Sequence, residues 1–319
     1  MVVRVPVTIA AKNEGRCIGA CLDAVLAAVA FARGQAEFDV LVVADDCSDD
    51  TEAVARGRGV AVLRSSGGKV EAQRAGLRAG EFNVFLDADV IVTPPTLRAM
   101  AEVMRARAEV MVAWPRRRPL PPVQSTWLAR ALHVYNKERG FSSQRTWFNG
   151  KCFAMRGWSV PTRAELAGRI AGLPDDNFYD YAAGMRVDDI YLSRKVVAEH
   201  GPAALVETTE GCVYYRAPET LRGMYRYYRR MRMEIERVSA LFPELNGAHG
   251  KFGTRGADLL AGATLTDKIA YCEFQLALAV CRAGYLVERA YYQHVADARC
   301  PAWPPVEETK CSLVTEIPG

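Results

Sequence analysis

Two hydrophobic periodicities alternate over the first 115 residues. Short apolar runs in "RVPVTIAA", "FDVLVVADD", "VAVLRS", "NVFLDADV" and "EVMVAWP" read as strands. Their near-continuous apolar character fits strands covered on both sides, as in parallel sheets. Between them, "CIGACLDAVLAAVAFA", "SDDTEAVARG", "KVEAQRAGLRAG" and "TPPTLRAMAEVMRA" carry helical spacing. Ser48 and Thr93 mark helix starts, and Pro94 and Pro95 fall in a first helical turn. The alternation predicts an α/β fold with a mostly parallel central sheet and helices on both faces.

Beyond residue 115 the pattern loosens. "RRRPLPPV" reads as a Pro/Arg-rich loop, "STWLARALHVYNKERG" as a helix and "WFNGKCFAMRG" as a strand with a glycine break. "VDDIYLSRKVVAEHG" is a helix, "CVYYRAP" a strand, and "ETLRGMYRYYRRMRMEIERVSALF" a long basic helix. Residues 246–257, "NGAHGKFGTRGA", are dense in glycine and predict a loop, a candidate lid over a bound ligand. More helix and a proline-containing tail follow. No repeat or clean linker appears, so one continuous domain is expected, in three stretches: 1–115, 116–240, and 241–319 with the loop and C-terminal helices.

Half of the 319 residues are hydrophobic, which fits a globular chain with a large core. The net charge of +4 is too mild for a nucleic-acid binder and compatible with an anionic small substrate. The nine cysteines include no CxxC pair, and no histidine joins Cys17 and Cys21 into a metal set. Reduced thiols in a cytoplasmic protein are expected. The apolar run "FQLALAVC" is far short of the roughly 20 residues a membrane span needs, so no transmembrane segment is expected. The basic helix leaves a peripheral membrane contact open.

Candidate chemistry gathers at strand ends. Asn13 and Glu14 follow the first strand, Asp45 and Asp46 the second, and Asp87 and Asp89 the fourth. In open parallel sheets, ligands bind at the carboxyl ends of the strands, so these three ends are expected to face one crevice. Alternation along a strand would place Asp87 and Asp89 on one side, where both can face a hard cation such as Mg²⁺ or Mn²⁺. Asp45, at a strand tip, can accept a hydrogen bond from a nucleobase N–H. Gly67 and Gly68 precede a helix with Lys69 in its first turn, an anion-attracting position without the P-loop pattern.

"VPVTIAAKNEGRCIGACLDAVLA", "VLVVADDCSDDTEAV", "GGKVEAQRAGL" and "NVFLDADVIV" together resemble, in order and spacing, the nucleotide-sugar-binding half of family 2 glycosyltransferases. The resemblance covers residues 3–115 strongly and continues more weakly to about 235. It implies a GT-A-type nucleotide-binding α/β/α sandwich plus C-terminal helices. The activity it implies is metal-assisted, inverting, non-processive transfer of a sugar from a nucleotide diphosphate. UDP-sugars rank first as donor and GDP-sugars next. The acceptor would be a small molecule or a lipid-linked one.

The resemblance also assigns roles. Ala10, Ala11, Lys12 and Glu14 would line the nucleoside pocket, and Asp45 would meet the base. Lys69 would lie near the ribose and phosphates. Asp89 would be the main ligand of Mn²⁺ or Mg²⁺, with Asp87 nearer the ribose or sugar and Ala88 between them in the donor site. In "VDDIYLSRKV", Asp189 aligns with the family's catalytic base and Asp188 replaces its glutamate. Both also suit a helix N-terminus. Arg226, Arg229 and Arg230 could meet the diphosphate or an anionic acceptor, or form a solvated basic face. His249 could join the metal, as a late-chain histidine does in some GT-A enzymes, while His133, His200 and His294 read as structural. Trp147, Phe148, Trp158, Phe178 and Tyr179 could stack on an acceptor or fill core. The processive Q-x-x-R-W signature is absent, where the chain reads "YRYYRRMRM". A sugar nucleotidyltransferase would open with G-x-G-T-R where this chain has "AAKNEG". A non-catalytic nucleotide-sugar or carbohydrate-binding protein would have no reason to keep Asp45, Asp89 and Asp189 together.

Overall fold

The computed structural model of the protein describes residues 3–139, 147–248, 264–301 and 307–310. The chain begins β1 (Val3–Ala11), α1 (Ile18–Phe31), β2 (Ala36–Asp45), α2 (Thr51–Gly57), β3 (Ala61–Ser65), α3 (Lys69–Ala75) and β4 (Asn83–Asp87). It continues as β5 (Val90–Val92), α4 (Pro95–Ala106), β6 (Val112–Pro119), α5 (Trp127–Arg139), β7 (Cys152–Met155) and α6 (Arg163–Ala171). Then follow α7 (Asp189–His200), β8 (Leu205–Tyr215), α8 (Leu221–Leu241) and α9 (Leu265–His294).

The sheet order is β3-β2-β1-β4-β7-β6-β8-β5. β3, β2, β1 and β4 are parallel, as are β6 and β8. β7 runs antiparallel between β4 and β6, and β5 antiparallel on β8. Core lies on both faces. On one, Val5, Val7 and Ile9 of β1 meet Leu22 and Val25 of α1 and Met100 and Met104 of α4. On the other, Phe85, Trp114 and Phe153 meet Leu192 and Val196 of α7 and Val238 and Leu241 of α8. Each such side chain contributes roughly 1.5–3 kcal/mol through burial. A third cluster, with Leu132, Met224, Phe274 and Ala277, joins α5, α8 and α9. Among the described residues, no helix is long and apolar enough to cross a membrane.

The structure revises several local expectations. β4 stops at Asp87, and a turn through Ala88 and Asp89 leads into a separate strand, β5. Three strands stand between β4 and β5 in the sheet order, yet only these two residues connect them. A residue spans at most about 3.6 Å, so the sheet must curl until its last edge returns beside β4. Simple strand alternation therefore does not place Asp87 and Asp89 together; the turn does. The "RRRP" segment is not a loop but the end of β6. After a register shift between Trp114 and Arg116, Arg116–Pro119 pair with Cys212–Tyr215 of β8. Ser48 does not start α2. Asp49 Oδ1 accepts the Thr51 N–H (3.1 Å), while the Ser48 N–H donates to Asn13 Oδ1 (2.8 Å). An unforeseen helix, α6, begins with a capping box: the Thr162 hydroxyl accepts the Glu165 N–H (3.3 Å), and Glu165 accepts the Thr162 N–H (2.7 Å).

The basic helix α8 is less solvated than its composition implies. Arg237 is buried, bonded to both oxygens of Glu234 (2.7 and 2.9 Å) and to the Gly184 carbonyl (2.7 Å). Removing one partner of such a pair strands a charge in the interior. Glu234→Ala is expected to cost about 3–5 kcal/mol in urea unfolding, and Glu234→Leu combined with Arg237→Met should recover most of the loss.

Candidate active site

The strand order reverses between β1 and β4, which opens a crevice at their carboxyl ends. Ala10 stands in register with Val43 of β2 on one side and Asp87 of β4 on the other, and Ala11 is buried beside it. Beyond them the backbone turns through Asn13, whose φ of 53° is a left-handed conformation that Asn tolerates. Asp45, 2% exposed, ends β2. Its Oδ2 lies 3.1 Å from Lys12 Nζ and its Oδ1 accepts the Gly68 N–H at 3.0 Å. Gly67 and Gly68, at φ 106° and 98°, permit that approach, and α3 starts immediately after. Ala10, Ala11, Lys12 and Asp45 thus form one wall.

Glu14 stands apart from them in its pairing. Its Oε2 is buried without a hydrogen-bond partner, and its Oε1 is 2.5 Å from Lys310 Nζ, which also donates to the Lys12 carbonyl (3.0 Å). Burial pushes the Glu14 carboxyl up to about 7; Lys310 opposes this, and Asp89 and Asp87 add to it. A residue near the chain's end therefore covers the predicted nucleoside wall, which no local pattern announces.

The acidic turn is held by two lysines. Lys69 Nζ lies 2.7 Å from Asp87 Oδ1, and Lys151 Nζ lies 3.9 Å from Asp87 Oδ2 and 3.8 Å from Asp89 Oδ1. Burial alone would raise the Asp87 pKa, but Lys69, Lys151 and Arg230 bring it below the usual carboxylate range. Asp89 Oδ1 is buried and accepts no hydrogen bond. Among the described residues, no group of three or more His, Cys, Asp or Glu is placed to hold a metal ion. Two carboxylates, one with an unbonded buried oxygen, still fit Mg²⁺ or Mn²⁺, whose other positions water and phosphate oxygens commonly fill.

Lys69 also ties this turn to α7. Its Nζ is 3.5 Å from Asp188 Oδ1 and donates to the Gly150 carbonyl (3.2 Å). Burial works to lower its pKa, but Asp188, Asp87 and Asp189 more than offset that, so it stays charged. Asp188, 1% exposed, caps α7 by position but not by a side-chain bond. Its Oδ2 accepts from Gln73 Nε2 at 2.7 Å. Asp189 Oδ2 accepts the Gly150 N–H at 3.3 Å. Burial and the adjacent Asp188 push Asp189 up to about 6, against Lys69 and the Gly150 N–H. A Cβ on Gly150 would sit 3.0 Å from the Asp189 side chain, so a larger residue there would have to push that carboxylate aside.

Asp87, Asp188, Asp189, Lys69 and Lys151 line a cavity of about 680 Å³. Other walls come from α5, α8 and α9, including Leu132, Tyr228, Phe274 and Leu286. Trp147 and Phe148 line it; Trp158, Phe178 and Tyr179 do not. Trp158 instead packs on Phe85, and Phe178 on Tyr285, because both belong to apolar clusters behind the wall. Of the α8 arginines, Arg230 and Arg232 line the cavity. Arg229 turns the other way, correcting the expectation that it meets the donor: it bonds Glu288 (2.8 Å), Cys300 Sγ (2.7 Å) and the Pro301 carbonyl (3.4 Å). Adjacent helical positions point about 100° apart, and that step turns Arg229 toward Glu288 of α9 while Arg230 lines the cavity. His133, His200 and His294 do not line it. His249 and most of the glycine-rich loop lie outside the described residues.

A curled α/β sheet with a strand-order reversal, a DxD turn at that reversal and a buried carboxylate facing it define a glycosyltransferase of the GT-A class. Residues 7–163 match the family described as glycosyl transferase family 2, and the chain belongs to that family. Solved structures of Mycobacterium tuberculosis glucosyl-3-phosphoglycerate synthase are similar at low identity. The complex of that enzyme with Mn²⁺, UDP-glucose and phosphoglyceric acid is 16% identical, with 78% of this chain and 81% of that chain covered and a TM-score of 0.46. Its complex with Mg²⁺ and UDP gives 16%, 78%, 81% and 0.46. No protein of curated function matches.

The raised Asp189 pKa carries a stability cost. Because its folded pKa of about 6 exceeds the ordinary 3.8, folding disfavours the ionised form. The penalty is complete above the folded value and vanishes below the unfolded one. Asp189→Asn should therefore melt higher than the parent protein at pH 7.5, with the gap closing as pH falls toward 4. A gap independent of pH in calorimetric melts would refute this.

Proposed function

We propose that the protein transfers a sugar from a nucleotide-diphosphate sugar to a hydroxyl group held in the cavity, inverting the anomeric carbon. One observation carries the reading: the Asp189 carboxylate, fixed by the Gly150 N–H, shares the cavity with Asp87, whose partner Lys69 also donates to the Gly150 carbonyl. The fold's crevice and family membership support a nucleotide donor on the β1–β2 side. Asp45 would read the base edge, which requires Lys12 to release one of its oxygens. UDP-sugars are the first donors to test and GDP-sugars the next.

Asp189 would take the proton from the acceptor hydroxyl as its oxygen attacks the anomeric carbon and the bond to the diphosphate breaks. A base near pKa 6 is ionised at neutral pH and still basic enough for this task. Asp188 acts through its neighbours: it orients Lys69 and Gln73 and raises the Asp189 pKa. Lys151 and Arg230 would face the charge on the departing diphosphate. Asp89 and Asp87 would hold Mg²⁺ or Mn²⁺, which supplies Lewis-acid stabilisation of that leaving group when bound.

The test begins with a panel of UDP-, GDP- and dTDP-sugars, followed by thermal shift with Mn²⁺. Asp189→Asn should lower kcat about 10²–10⁴-fold and leave nucleotide affinity almost unchanged. If Asp188→Asn is instead the crippling change, the base has been misassigned. For the parent enzyme, kcat/KM should fall about tenfold per pH unit below about 6, as the base becomes protonated.

Metal dependence is tested separately. Asp89→Ala should abolish the Mn²⁺-dependent part of UDP binding in calorimetry while its circular dichroism matches the parent. Undiminished metal dependence would remove Asp89 from the role.

A further inference from the structure

The cavity contains a buried arginine whose charge the proposed reaction leaves unused. Arg117, in β6, is 7% exposed and lines the cavity. Its guanidinium carbon lies 5.6 Å from the Trp147 ring centroid and 5.9 Å from that of Tyr215. Its Nε is buried without a hydrogen bond, and among the described residues no ion pair closes on the group. The field of Glu207 reaches it, but without an ion pair.

Comparison within the molecule sharpens the point. Of the other buried arginines, Arg216, Arg229 and Arg237 each have a glutamate (Glu219 at 3.5 Å, Glu288 at 2.8 Å and Glu234 at 2.7 Å), and Arg194 donates instead to Ser239 Oγ (3.0 Å) and Asn246 Oδ1 (3.3 Å). A buried guanidinium without an anion is costly, because its lost hydration is not replaced. Arg117 is held by two aromatic faces, which orient its plane and leave its hydrogen-bonding edges unused.

Its position is informative. Lys151 Nζ lies 5.1 Å from the centroid of the same Tyr215 ring and is already engaged by Asp87 and Asp89. Arg117 therefore sits one ring away from the DxD turn. The walls from α5, α8 and α9 add the apolar residues Leu132, Met224, Phe274, Leu278 and Leu286, with Arg232, Glu236, Arg282 and Arg289 among them.

We propose that Arg117 docks a phosphate ester carried by the acceptor, with the apolar walls accepting the remainder of that molecule. The inference rests on the reading of this cavity as the acceptor site. A guanidinium fork matches phosphate oxygens, and Lys151 and Arg230 on the same cavity add the positive field that a dianion favours.

The test uses the full chain saturated with UDP and Mn²⁺, titrated calorimetrically with inorganic phosphate and with decyl phosphate. Arg117→Gln should weaken both by about tenfold or more, with Arg117→Lys intermediate, while UDP affinity stays within about twofold of the parent. Decyl phosphate binding about tenfold more tightly than inorganic phosphate identifies a lipid-like phosphate, since apolar burial supplies the difference. Equal affinities identify a soluble phosphate ester, and both results uphold the site. Unchanged phosphate affinity in Arg117→Gln overturns the proposal. So does a loss confined to UDP, which would assign the arginine to the donor. Should Arg117→Gln fail to fold, Arg117→Lys decides by the same comparison. Failure of the parent protein to bind any nucleotide with metal would sink the transferase reading instead, and leaves the phosphate titration readable.

Discussion

The acidic end of this sheet depends on one half-buried ammonium group. Asp87, Asp188 and Asp189 converge from β4 and α7, and left to themselves these carboxylates would repel one another in a poorly hydrated space. Lys69 stands among them, 2.7 Å from Asp87 and 3.5 Å from Asp188, and also bonds the Gly150 carbonyl. It thereby joins the first helix turn of α3, the tip of β4, the start of α7 and the loop before β7. Asp188, Asp87 and Asp189 keep it charged despite its burial. The strand-end and α7 halves of the site share this one cation.

That arrangement was partly legible in the residues. The acidic strand ends, the Gly-Gly-Lys start of α3 and the Asp-Asp start of α7 all announce themselves locally, through strand period, glycine and helix-start chemistry. The alternation of strands and helices over the first 115 residues likewise determines the parallel half of the sheet, because each segment's pattern is self-sufficient. Partners were not legible. Nothing local says that Lys69 meets Asp188, that Lys151 closes on the DxD turn, or that Lys310 reaches Glu14 across almost the whole chain.

Where the reading failed, tertiary pairing had overridden local propensity. The Arg- and Pro-rich end of β6 becomes strand because β8 offers it a partner, and Pro119 is tolerated at the strand's last position. The α8 arginines look solvated in sequence, yet Glu234 and Glu288 draw two of them inward. Helix α6 had a readable signal in Thr162 and Glu165, spaced as a capping box, that the apolar pattern alone does not reveal.

The curl of the sheet has a consequence for how this chain can change over evolutionary time. Only Ala88 and Asp89 link β4 to β5, and β5 is locked on β8 through Val90 with Tyr215, Ile91 with Tyr214 and Val92 with Val213. Inserting a single residue in that turn would shift the strand's phase by one position. Val90 and Val92, which pack in the main core, would then exchange faces with Ile91, which packs in a separate cluster with Cys17, Leu120 and Tyr214. Loop lengths elsewhere on the surface can drift without touching the interior. The length of this turn cannot, so the spacing of its two aspartates is protected by packing as firmly as by any chemistry they perform.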